Sequence, residues 1–145
     1  MKGFAAGITA LYLVFGAAIG LCAGEKALSP QAQELKSLLA SLKERPGDKA
    51  IQTQYMQKFP KDIGTFRGLF DQPDFSELYD GADYIFTLYG LAEDHPETVG
   101  KILIGLSKNA PRGVDALSYL RGVTAQYAVK HTTIFVKLLK TCSAR

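Results

Sequence analysis

From Ser29 to Leu139 the apolar residues recur every three to four positions, and strand-like alternation is scarce. That spacing gathers them on one face of a helix and would scatter them over both faces of a strand. Pro30, Pro46-Gly47, Pro60, Pro73, Pro96 and the stretch "KNAPRG" interrupt the pattern at short intervals. Each run between them suits a short helix. The chain therefore predicts an all-α fold, a compact bundle of five to seven short helices preceded by an apolar leader helix. At 145 residues it has room for one ordinary domain, and 47% hydrophobic residues suffice for a core.

The segments follow from local signals. In "SPQAQELKSLLASLKERPG", Ser29 is a cap and Pro30 fits the first helical position, where its missing donor costs nothing. Asp48 caps the next helix, with Ile51, Tyr55, Met56 and Phe59 inward. A third helix spans roughly 61–70, where Gly64 and Gly68 would admit a close neighbour. A fourth is expected to start after Asp74 and reach about Glu93, with a capping box from Asp74 to Glu77. Its inward set includes Leu78, Ile85, Phe86 and Tyr89. Pro96 opens a fifth, with His95 as its cap and Glu97 paired to Lys101. The remainder is helical in period, with a bend expected at His131-Thr132-Thr133.

Residues 1–24, "MKGFAAGITALYLVFGAAIGLCAG", carry a single charge, Lys2, and end in small residues. A basic start followed by an apolar run reads as a secretory signal peptide, leaving residues 25–145 as a single helical domain. The alternative is a membrane anchor, since the uncharged run from Gly3 to Gly24 is 22 residues, long enough to cross a bilayer. The expected location is therefore periplasmic or extracellular, with attachment to a membrane through residues 3–24 where the leader is retained. Cleavage would leave Cys142 as the one cysteine of the mature chain, which excludes an internal disulfide.

Charge is segregated. Residues 68–100 hold eight acids and no Lys or Arg, a net −8, whereas residues 101–145 hold eight bases and Asp115, a net +7. Two arrangements follow. The acidic and basic helices neutralise each other across a shared rim, or they leave opposed patches that steer a partner or drive self-association into a homo-oligomer.

The acidic segment is also aromatic: "FDQPDFSELYDGADYIF" covers residues 70–86, with acids at Asp71, Asp74, Glu77, Asp80 and Asp83. On one helix, steps of three place Glu77, Asp80 and Asp83 over an arc of about 120°. That is a broad face, not a convergent pocket. Pro73, Phe75 and Leu78 spoil a calcium loop. No zinc spacing, nucleotide-binding glycine loop or GxSxG elbow occurs, so the reading carries no cofactor and no metal. Lys and Arg are too scattered for a nucleic-acid site. The expected binding face is Phe75, Glu77, Tyr79, Asp80, Asp83 and Tyr84, offered to a protein with a basic surface. The function that fits is a small exported protein that binds or inhibits such a partner. The alternatives are a hydrolase acting on cell wall or glycans through paired carboxylates, and a structural component of the envelope.

Overall fold

A computed structural model describes residues 28–70, 77–78, 81–108, 110–111 and 115–143. Those residues form an all-α bundle of seven short helices. In order they are α1 (Pro30–Glu44), α2 (Lys49–Lys58), α3 (Ile63–Phe70), α4 (Ala82–Gly90), a 3-10 turn (Leu91–Glu93), α5 (Pro96–Lys108), α6 (Ala116–Lys130) and α7 (Thr132–Ser143). The leader lies outside the described residues. Among the described residues no helix is long and apolar enough to cross a membrane.

Local chemistry sets most of the boundaries. The Ser29 hydroxyl accepts from the Ala32 amide at 3.2 Å, with Pro30 in the first turn. Asp48 Oδ1 accepts from the amides of Ala50 and Ile51. Asp62 caps α3 twice, accepting from the Thr65 amide at 2.9 Å and the Thr65 hydroxyl at 2.8 Å. These bonds hold its carboxyl below the usual aspartate range. Each satisfies amide donors that a helix start leaves without a partner. The expected break at His131 is present, where φ −118° and ψ 41° separate α6 from α7.

Helix α5 sits centrally, packing against α3, α6, α7 and the 3-10 turn, while α1 pairs with α2 and α4 with α6. Tyr55, Phe59, Phe66, Phe70, Leu103, Leu106, Leu120 and Tyr127 are among the buried side chains. The phenols of two tyrosines are satisfied inside: Tyr55 donates to the Tyr84 carbonyl at 2.8 Å and Tyr127 to the Pro96 carbonyl at 2.7 Å. Phe70 is an aromatic hub, 5.2 Å from Phe66, 6.0 Å from Phe59 and 5.4 Å from Tyr84 between ring centres.

Several expectations need correction. The fourth helix starts at Ala82, not after Asp74, and ends at Gly90. Gly81 is the cause: its φ is +56°, and a Cβ there would come within 2.8 Å of the Phe70 side chain. Only glycine meets both conditions cheaply, and that backbone ends any helix arriving from upstream. Glu77 and Leu78 instead lie in a bend tied to α3, their amides donating to the carbonyls of Gly68 and Leu69. Gly64 and Gly68 admit no neighbouring helix, since both are exposed and a Cβ added at Gly68 would meet nothing within 4 Å. The glycine that does admit close packing is Gly100. A Cβ there would collide with the Tyr127 hydroxyl and lie 2.7 Å from Leu138 Cδ1. Phe86, expected in the core, is 48% exposed.

Candidate functional site

The structure divides the six residues of the expected binding face. Phe75, Tyr79 and Asp80 lie outside the described residues. Glu77 is half-buried and faces inward, its Oε2 accepting from the Ser29 amide at 2.5 Å, which ties the bend to the start of α1. Tyr84 is half-buried against Phe70. Burial, then the nearby Asp83 charge, pushes its phenol above the ordinary 10.0. Asp83 stands outward on the first turn of α4, a favourable end of the helix for a carboxylate. Because the helix begins at Ala82, Glu77 and Asp83 do not share a helical face. The 120° arc expected for the acids has no helix to carry it.

Asp83 has an apolar neighbour on the outer face of α4. Phe86, three residues on, shares its face of α4, and its ring lies 5.8 Å from that of Tyr119 on α6. Ile85 and Leu88 take the buried side of this short helix, leaving Asp83, Phe86 and Gly90 outward. The signal in the sequence was present: Ile85 and Leu88 fix the inward direction, and Phe86 falls about 100° off the first of them.

The acids of residues 68–100 pair on the surface with lysines of other elements, two from the basic segment 101–145 and two from α1 and α2. Lys43 of α1 reaches Asp83 at 2.6 Å, Lys49 of α2 reaches Asp94 at 2.5 Å, Lys137 of α7 reaches Glu97 at 2.9 Å, and Lys130 of α6 pairs with Glu93. Among the described residues, four of the five acids in residues 68–100 thus face a lysine from another helix. The pair with Lys49, as hydrogen bond and then as charge, holds Asp94 below the usual carboxylate range, and Lys137 does the same for Glu97. Glu97 is bonded to Lys137 where Lys101 was expected. All four pairs are exposed, so each contributes little and exchanges readily with an outside partner.

Beside α4 lies a cleft of about 360 Å³ between the end of α1, the start of α2 and the 3-10 turn. Leu42, Pro46 and Leu91 give it apolar walls, and Lys43 and Asp94 bring opposite charges to it. Gln52 also lines it and is 3% exposed. Its amide nitrogen donates to the Pro46 carbonyl at 2.7 Å and also reaches Asp94, while its Oε1 lies 3.0 Å from His95 Nε2. A buried carboxamide with every group engaged is held in one orientation. His95 stands at the cap position before α5, its carbonyl accepting from the Val99 amide at 3.0 Å, and its ring is in addition this glutamine's partner. Gln52 was missed, although it falls three and four residues before the inward Tyr55 and Met56.

Among the described residues no cluster of three His, Cys, Asp or Glu could hold a metal ion. Comparison with protein-family models, with curated proteins and with solved structures gives no match.

Proposed function

We propose that the protein is a small exported helical binding protein, of the protective or inhibitory kind, that contacts a basic protein partner through the outer face of α4. The observation that supports this most is the exposed Phe86 beside Asp83. A large aromatic side chain flanked by charge is the usual composition of an interface hot spot and its rim. The Asp83–Lys43 pair does not oppose such a contact, because an exposed pair yields its carboxylate to a competing cation at little cost. Export rests on the composition of residues 1–24 and is checked separately by amino-terminal sequencing of protein from its host.

The hydrolase reading has less support. A paired-carboxylate mechanism needs one acid held protonated near neutral pH. Asp62, Asp94 and Glu97 are displaced in the opposite direction by their hydrogen bonds and cationic neighbours.

A benzophenone amino acid placed at position 86 tests the binding role in the native host. Light should trap one discrete protein adduct that is missing when the probe is at the exposed Lys36 of α1. The same adduct should weaken several-fold on adding Asp83→Lys, with little change in melting temperature. Indistinguishable adduct patterns from positions 86 and 36 would rule out this face.

A further inference from the structure

The cleft beside α4 offers a second site, joined to the partner face only through the Lys43–Asp83 pair. Its volume falls at the small end of ligand pockets, which run from roughly 300 to 1,000 Å³. It has the composition such pockets share: apolar walls and a few fixed polar groups. Leu42, Pro46 and Leu91 supply the walls. Gln52 is buried and locked between the Pro46 carbonyl and His95, so the wall it forms is set before any ligand arrives. Thr87 adds an alcohol to the lining.

The charges around the cleft indicate the ligand. Lys43 enters from α1 and Asp94 from the end of the 3-10 turn, so a cation and an anion arrive on separate elements. Their own partners, Asp83 and Lys49, keep the rim neutral. A ligand with one charge meets attraction at one group and repulsion at the other. A ligand with both signs and an apolar body meets attraction at both. Each surface pair exchanges at little cost.

Gly90 keeps the space open. It lines the cleft with ordinary helical backbone, φ −56° and ψ −32°, and a Cβ there would touch nothing within 4 Å. Neither strain nor packing requires a glycine at this position. A side chain added there has open space at the lining of the cleft and leaves the fold intact. Gly122 on α6 has the same freedom away from the cleft, and so provides a matched control.

The geometry points to a binding site for a short zwitterionic peptide with an apolar side chain, seated between Lys43 and Asp94 with its side chain on Leu42, Pro46 and Leu91. The ligand carboxylate takes the Lys43 ammonium, and the ligand amine takes the Asp94 carboxylate.

Calorimetric titration of the full-length protein with the dipeptide Leu-Leu tests this, with N-acetyl-Leu-Leu-amide as the neutral counterpart. Leu-Leu should bind at millimolar concentration or below, and the capped form about tenfold more weakly or worse, because both charged hydrogen bonds are lost. Gly90→Gln should remove Leu-Leu binding, whereas Gly122→Gln should leave it unchanged. A circular dichroism melt of both variants should show the fold intact. Lys43→Gln, an exposed change, should weaken Leu-Leu about tenfold and leave the capped peptide alone. Equal affinity for the two peptides, binding that survives Gly90→Gln, or no binding of Leu-Leu at millimolar concentration each overturns the proposal. Failure here leaves the Phe86 face untouched, since the crosslink at position 86 is read separately.

Discussion

Helices α5 and α7 resemble each other in sequence and differ in what they bury. Both space their apolar residues at three and four, and both carry lysines on the opposite side. In α5, Val99, Gly100, Ile102, Leu103, Ile104 and Leu106 are all buried. In α7, Leu138 is buried, Ile134 and Phe135 are half-buried, and Val136 and Leu139 stand 45% and 39% exposed. Neighbours make the difference. Helix α5 has helices or turns around most of its circumference, whereas α7 packs chiefly on α5 and α6. Apolar spacing therefore measures how much of a helix is available for burial, and the number of flanking elements determines how much is used.

The strongest way to break this comparison is to truncate matched leucines. Leu103→Ala should cost about 2–5 kcal/mol, because the cavity it leaves is walled on all sides. Leu139→Ala should cost less, about 1 kcal/mol, because 39% of that residue already meets water. Urea unfolding of both variants measures the gap, and similar losses would show that α7 is as enclosed as α5.

The contact between the two helices is sharpened by Gly100→Ala. The added methyl has no room beside the Tyr127 hydroxyl and Leu138 Cδ1. We expect a loss of about 1–3 kcal/mol from overpacking, despite the higher helix propensity of alanine. Hydrogen exchange should locate the loosening in α7 and the end of α6. A stabilised variant would mean that α7 can move away without cost.

The smallest expected effect is electrostatic. Lys137 holds Glu97 below its ordinary 4.5, by hydrogen bond first and charge second. The folded value lies below the unfolded one. The pair's contribution is thus fully present above 4.5 and is lost as pH falls through the lower folded value. Both groups are exposed, so the effect is small. Melting temperature should fall slightly less on acidification in Glu97→Gln than in the parent. An identical acid response in the two proteins would remove the pair from any role in docking α7.

Much of the bundle was legible because its signals are local. Ser29, Pro30 and Asp48 act within three residues of where they sit, and the turn at Pro46-Gly47 needs no distant partner. The fourth helix is hard to place from sequence because Asp74 and Glu77 imitate a capping box, while the decisive feature is Gly81 pressed against Phe70. That contact joins residues whose proximity no spacing rule reveals. The binding face inherits the same difficulty. With the helix beginning at Ala82, Glu77 turns to Ser29, Asp83 to Lys43, and Phe86 moves from the expected core to the surface.

By itself the sequence determined the helical class, the caps at Ser29 and Asp48, the break at His131 and most of the inward residues, because three-to-four spacing and capping chemistry operate within a turn or two of chain. Tertiary structure alone decided which lysine neutralises which acid, that Gly100 rather than Gly64 or Gly68 admits a neighbour, and that a cleft opens where α1, α2 and the 3-10 turn meet. Those outcomes depend on distances between residues far apart in the chain, such as Lys43 and Asp83 or Gly100 and Tyr127, which are set by how the helices stack.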